Sequence, residues 1–391
     1  MSSPTIAATG TWTAAGTLPS PAAWYGRHDG AVLLTGGTDK VLVIGGADGS
    51  ATAAGRTAVY DAAAKTWTAA AAMQVTRRLY TATVLDGGSV LVAGGITGSR
   101  QFPSPGLNTV ELYDPAQDAW TTAAPMKHAR WGHSAVLVGG KVLVAGGFAV
   151  RSGQSELALA GAELYDPVAK TWTEVGPMTD PRGGHAAVLL KNGKVLVTGG
   201  AVPVGKGTDT DLAYCELYDP AQKTWSVTGS MTAARAGHQA TALDGGAAVL
   251  VTGGRAPGGR GDGTFDPFSR AAAELYDQAT GTWSPVDDLP GGRVHHRAVA
   301  LGPDQALVVG GTGDVHDDAG YESAAIFDRA TKKWTTAGGL ATGRWAFAAV
   351  ALSGGRAMVA GGVARSGAAA ASAGAEELTG TAEIFATAAT P

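Results

Sequence analysis

The sequence predicts an all-β fold, a seven-bladed β-propeller with four antiparallel strands per blade. Three observations carry this reading. An apolar strand ending in Gly-Gly recurs as VLVIGG (41–46), VLVAGG (90–95 and 142–147), VLVTGG (195–200 and 249–254), LVVGG (307–311) and MVAGG (358–362). Successive Gly-Gly pairs are 49 to 57 residues apart. Each is followed by an aromatic, in VYD, four copies of ELYD, IFD and EIF. Six of these aromatics have a Trp seven residues on: Tyr60/Trp67, Tyr113/Trp120, Tyr165/Trp172, Tyr218/Trp225, Tyr276/Trp283 and Phe327/Trp334. Units of about 50 residues are too small to bury a core alone. With short β-branched or aromatic strands and turns of Gly, Pro and Asp, they read as propeller blades.

The elements of one blade follow in order. The first strand opens on Arg and, three residues later, usually His: RHDGAVLL (27–34), RRLYTATVL (77–85), RWGHSAVL (130–137), RGGHAAVLL (182–190), RAGHQATAL (235–243), RVHHRAVAL (293–301) and RWAFAAVAL (344–352). The second strand ends in Gly-Gly, where positive φ and close backbone approach are permitted. The aromatic of the third strand and the Trp of the fourth supply the large apolar area that packs blade on blade. The seventh aromatic, Phe385, has no Trp after it, while TWTAAG (11–16) near the N-terminus holds an unassigned one, Trp12. The N-terminal segment is therefore expected to complete the last blade and close the ring, which removes open sheet edges. Residues 10–386 form one domain, with tails at 1–9 and 387–391.

Composition narrows the function classes. The 391 residues include 59 Gly, only 16% are charged, and the net charge is −4. Nothing in this balance is the electrostatic footprint of a nucleic-acid or anionic-membrane partner. No apolar run approaches the ~20 residues that span a bilayer. The start, MSSPTIAATG, lacks the pattern of a secretory signal, and the single Cys215 forms no internal disulfide. A monomeric cytoplasmic protein is the expectation.

Arg-x-x-His, the Gly-Gly strand, Tyr-Asp-Pro and Thr-Trp at this spacing resemble the kelch repeat, in its bacterial type, over nearly the whole chain. The resemblance implies the propeller fold. It implies little about activity, since kelch propellers include copper-radical oxidases, sugar mutarotases, iron-dependent nitrile-specifier proteins and protein-binding adaptors. It also implies that the first strand is innermost and that residues just after the repeat Arg line the mouth of the central channel.

Whatever every copy shares is architecture, and whatever one copy holds alone is a candidate for function. The repeat arginines (Arg27, Arg77, Arg130, Arg182, Arg235, Arg293 and Arg344) are read as scaffold, bonding backbone carbonyls through their planar fork of donors. The repeat histidines (His133, His185, His238 and His296) are read likewise. Seven of the ten Trp hold the strand-four position, which leaves Trp24, Trp131 and Trp345. His28, His128, His295 and His316 fall outside the repeat. Between repeat Arg and repeat His, the pairs Gly183-Gly184 and Ala236-Gly237 are small, whereas His28-Asp29, Arg78-Leu79, Trp131-Gly132, Val294-His295 and Trp345-Ala346 are bulkier. The His slot itself reads as Gly30, Tyr80 and Phe347 in blades one, two and seven. A lopsided mouth is expected, roofed by long loops at 148–158, 255–270 and 312–322.

From this pattern the expected function is binding of a small organic substrate at the channel mouth, with cofactor-independent acid–base chemistry of the isomerase, cyclase or lyase type. His28, Asp29 and His295 are the candidates for proton transfer. Arg78 is assigned to an anionic group, and Tyr80, Trp131, Trp345, Phe347, Phe148, His316 and Tyr321 to the walls. No cofactor is expected. The weaker alternative is a divalent metal near His28, His295 and His316, because no short run has recognised ligand spacing. A copper-radical site is rejected, since Cys215 lies within a regular strand. The rival function is a scaffold that holds a peptide or protein partner at the same mouth.

Overall fold

In the computed structural model, residues 10–25, 30–37, 39–98, 106–150, 156–205, 208–259, 265–313, 319–372 and 375–388 are described. They form seven four-stranded antiparallel sheets and four two-stranded hairpins. Blade two shows the plan: Thr81–Val84, Val90–Ala93, Val110–Asp114 and Ala119–Ala123 pair in chain order. The apolar residues of the second strands, such as Val195–Thr198, are continuously buried because neighbouring blades cover both faces. That is why they read as continuous apolar runs rather than alternating ones.

The N-terminal strand, Gly10–Thr17, pairs with Thr381–Thr387 as the outer strand of blade seven, with Trp12 opposite Phe385. Their ring centroids lie 5.2 Å apart, against 5.1 Å for each of the six Tyr–Trp or Phe–Trp pairs of the other blades. Each strand-four indole donates its N–H to a carbonyl of the preceding blade. Trp67 reaches Ala15 O of blade seven at 2.8 Å, and Trp12 reaches Ala337 O of blade six at 3.0 Å. The closing strand thus takes part in the same circuit as the rest.

The repeat Arg is scaffold. Arg130 donates Nη1 to the carbonyls of Gly146 and Gly161 at 2.8 and 2.9 Å, and Nη2 to Glu163 at 2.8 Å. Arg77/Glu111, Arg182/Glu216, Arg235/Glu274 and Arg344/Glu383 repeat this fully buried ion pair. The carboxylates also accept backbone N–H groups of the incoming loop, as Glu163 does from Lys127 and His128. The glutamate is the first residue of ELYD, so two columns of the repeat are one interaction. Repeat histidines are scaffold too: Nε2 of His133, His185, His238 and His296 each meets a hydroxyl, of Thr81, Ser134, Thr198 and Thr252.

Blade one departs from the expected register. In blades three to seven the second Gly of the preceding pair donates to the carbonyl of the repeat Arg, as Gly147 does to Arg182. Gly362 instead donates to Ala22 at 2.8 Å, and Ala23 makes the double backbone bridge with Ala47. The position expected of Arg27 is therefore held by Ala22, and Trp24 fills the space against Gly361 where a repeat histidine would sit. The matching glutamate is likewise gone, replaced by Ala58 opposite Val43. Met or Leu stands four residues before each repeat Arg (Met126/Arg130, Leu340/Arg344), and Leu18 stands four before Ala22. This spacing carried the register; Arg27 was a coincidental match.

Blade six keeps Arg293 but has Ala325 in the glutamate's place. Its guanidinium is bonded to Gly310 O and Ser323 Oγ and lies 5.5 Å from the Tyr321 ring.

Glu163→Ala strands the Arg130 charge in the core and is expected to cost about 3–5 kcal/mol. The double change Arg130→Ala/Glu163→Ala, which copies blade one, is expected to cost less than the sum of the singles. Chemical denaturation of the three variants checks this, and additive losses would contradict it.

Candidate functional site

The residue just before the His slot adopts the left-handed backbone conformation in blades two to seven. The φ values are +56° at Leu79, +58° at Gly132, +60° at Gly184, +64° at Gly237, +50° at His295 and +49° at Ala346. These residues hand the chain from blade to blade: Gly132 donates to Leu79 O, Gly184 to Gly132 O, Gly237 to Gly184 O and Ala346 to His295 O, at 2.9–3.0 Å. Glycine meets the requirement without strain, and blades three, four and five have it. His295 holds this conformation against the roughly 1–2 kcal/mol penalty of an L-residue.

The residue before that one bridges to the residue after Gly-Gly: Arg78 with Ile96, Trp131 with Phe148, Gly183 with Ala201, Val294 with Thr312 and Trp345 with Val363. From these rim positions rise hairpins in blade three (Phe148–Val150 and Glu156–Ala158), blade four (Ala201–Gly205 and Thr208–Asp211), blade five (Arg255–Gly259 and Phe265–Ser269) and blade seven (Val363–Ser366 and Glu376–Leu378). The hairpins of blades three and five occupy two of the loops expected to roof the mouth. Those of blades four and seven were not foreseen.

Between this ring and these hairpins lies a cavity of about 410 Å³. Its floor is Gly132, Gly183, Gly184, Ala236 and Gly237; its apolar wall is Tyr80, Trp131 and Phe148; Tyr25 and His295 close the opposite side. The bare floor is used, because a Cβ on Gly183 would sit 2.4 Å from the Phe148 ring. Glu156, Asp209 and Arg255 add charge at the hairpins. Arg255 ties two hairpins together, donating to Asp209 at 3.1 Å and to Asp211 at 2.9 Å. Burial raises the Glu156 carboxyl above its usual range; Asp209 adds to this and Arg255 partly opposes it.

Of the expected site residues, the structure brings Tyr80, Trp131, Phe148 and His295 to this cavity. Four others do not line it. Trp345 is buried beneath, 5.6 Å from His295 and 5.8 Å from Tyr25 by ring centroids. Phe347 replaces the repeat histidine of blade seven and is wholly buried in the blade core. Arg78 is buried at the rim of blade two, its backbone engaged with Ile96. Tyr321 lies against Arg293. His28, Asp29 and His316 lie outside the described residues. Sequence comparison missed Tyr25, Glu156, Asp209 and Arg255. The last three sit in hairpins that no other blade matches, so the repeat gave them no frame. Tyr25 was hidden by the register of blade one; the spacing from Leu18 marks it.

His295 packs edge-on to Tyr25 with centroids 6.3 Å apart. Burial, with the Arg297 and Arg255 charges, lowers its pKa to about 4, offset in part by a backbone hydrogen bond at Tyr25. The ring is therefore neutral in neutral solution. Cys215 is buried and its thiol is pushed up to about 12, which leaves it inert. Among the described residues, no three metal-ligating side chains come together, and no helix is long and apolar enough to cross a membrane.

The KLHDC2/KLHL20/DRC7 Kelch-repeats domain model matches residues 7–200 and 132–362. The chain is 29% identical over 232 residues to human Kelch-like protein 34, covering 58% of this chain and 33% of that one. It is 26% identical over 266 residues to Kelch-like protein terF of Aspergillus terreus, covering 64% of this chain and 52% of that one. It thus spans between about a third and a half of these two relatives. Among solved structures, a fungal alcohol oxidase of the AA5 family in complex with copper matches with TM-score 0.71 at 18% identity, over 97% of this chain and 76% of that one. YjhT matches with TM-score 0.57 at 17% identity, over 79% and 95%. Likeness at this level shows the fold alone.

Because the folded pKa of His295 lies below the ~6.5 of an unfolded histidine, the unfolded chain takes up that proton first. The stability it contributes is complete above pH ~6.5 and is lost as pH falls toward about 4. The denaturation midpoint is expected to fall over that window, with a shallower slope in His295→Gly, which suits the left-handed backbone. A His295 ring resonance that titrates above pH 6 by NMR would contradict this.

Proposed function

We propose, for a chain that belongs to the Kelch-repeat family, that the channel mouth binds a small organic molecule. The observation that carries this reading is the cavity of about 410 Å³, with a glycine floor, an aromatic wall and a few convergent polar groups. Its volume falls within the roughly 300–1,000 Å³ of small-molecule sites. Phe148 supplies the flat contact, backed by the buried Trp131 with ring centroids 6.3 Å apart. Tyr25 is held from behind by its hydroxyl bond to Glu376.

The chemistry we assign is acid–base and cofactor-independent, of the isomerisation, cyclisation or elimination type, in the cytoplasm. His295 is the proton acceptor in this scheme. A ring with a pKa of about 4 is wholly in its base form at neutral pH, yet it is a weak base. It suits a substrate whose C–H or O–H is already acidified by a neighbouring carbonyl. The rival reading, a peptide or protein partner at the same mouth, draws on Val204, a large apolar side chain left exposed on the blade-four hairpin.

Metabolite profiles of a deletion strain, complemented with wild type or with folded Phe148→Ala and His295→Asn variants, test the proposal. The expected result is a precursor that accumulates in both variants, and a product that returns only with wild type. A profile identical in all complemented strains would remove the catalytic reading and favour the protein partner.

A further inference from the structure

We propose that the ligand of the channel mouth is an organic cation, received by Glu156 and the rings of Phe148 and Tyr25. This rests on the small-molecule reading above and adds the charge.

Tyrosines aside, five ionisable side chains line the cavity: His133, Glu156, Asp209, Arg255 and His295, of which His133 is a buried scaffold histidine. Arg255 is the only cation among them, and its two Nη atoms are committed to Asp209 and Asp211. His295 carries no charge in neutral solution. Among the described residues, Glu156 has no hydrogen-bond or ion-pair partner, although it is partly buried on the blade-three hairpin, two residues from Ala158, which pairs with Phe148. Among the described residues the wall therefore holds one carboxylate beyond what Arg255 neutralises.

A carboxylate drawn out of water without a partner is unfavourable, and an incoming cation offsets that cost where a neutral ligand does not. An anion would meet Glu156 and Asp209 with Arg255 already occupied. The other surfaces agree with this sign. Phe148 and Tyr25 present partly exposed aromatic rings, backed by the buried Trp131 and Tyr80, and the negative faces of such rings attract ammonium and guanidinium groups. The glycine floor places backbone rather than side chains beneath the ligand, which leaves room for a bulky head group.

Binding of three matched probes to the intact chain, followed by NMR titration, tests this. The probes are choline, its uncharged carbon isostere dimethylbutanol, and the anion dimethylbutanoate. The expected result is that choline binds about tenfold tighter than dimethylbutanol, while the anion binds weakest. Glu156→Gln, which keeps the side-chain shape, should weaken choline toward the affinity of dimethylbutanol, leaving only the part the rings supply, and leave the latter unchanged. Equal binding of choline and dimethylbutanol to wild type, or a preference undiminished by Glu156→Gln, would overturn the cation inference. In either case, dimethylbutanol binding that is lost in Phe148→Ala would keep the small-molecule reading intact. If no probe binds in a Phe148-dependent way, both fall.

Discussion

The inner ring of left-handed residues is the constraint on which the rest of the structure depends. In blades two to seven the chain turns at one residue with positive φ, and in blades three, four, five and seven that residue donates to its counterpart in the preceding blade. What occupies that position is limited by backbone strain, so glycine is the easy choice and any larger residue is held by its surroundings. Three consecutive blades take glycine and leave a hollow. On the far side, His295 and Ala346 bring side chains to the same ring. The asymmetry of the mouth follows from that one choice repeated unequally.

The buried Arg–Glu pairs make the ring rigid enough for this asymmetry to persist. An ion pair out of water is the more stable the more of its remaining donors and acceptors are satisfied. Here two backbone carbonyls and the N–H groups of an incoming loop meet the Nη and carboxylate groups, as at Arg130 and Glu163, while Nε of Arg77, Arg182 and Arg235 keeps no hydrogen-bond partner among the described residues. Blade one has neither the arginine nor the glutamate, whereas blade six keeps Arg293 without a glutamate and holds its guanidinium through Gly310 O, Ser323 Oγ and the Tyr321 ring. In blade one Leu18, Ala22 and Ala58 border a smaller cavity of about 120 Å³, and Trp24 takes over the packing.

The fold was legible because its signals repeat. Seven Gly-Gly strands and the aromatic–Trp spacing gave blade number, strand order and the closing role of Trp12, each set by packing that every blade shares. Register was less legible where a blade broke the pattern: RHDG resembled a repeat opening, but the Leu18 spacing shows that Ala22 holds the arginine's place. The site was legible in part. Trp131, Tyr80, Phe148 and His295 stood out as departures at positions the repeat indexes. Arg78, Trp345, Phe347 and Tyr321 stood out equally, yet they turn into rim, underlayer, core and a cation–π stack. Depth and direction come from packing, which the pattern alone does not encode. Glu156, Asp209 and Arg255 meet only through hairpins from different blades, Asp209 and Arg255 being 46 positions apart in the chain.

The central claim is that the hollow over the glycine floor is a ligand site. Its most direct test is a crystal structure of the protein after equilibration with a metabolite extract of its source cells. The account predicts continuous electron density for a small molecule against Trp131 and Phe148, within reach of Glu156 and His295. A mouth that contains only ordered water, or one filled by a side chain from the surrounding hairpins, would contradict it.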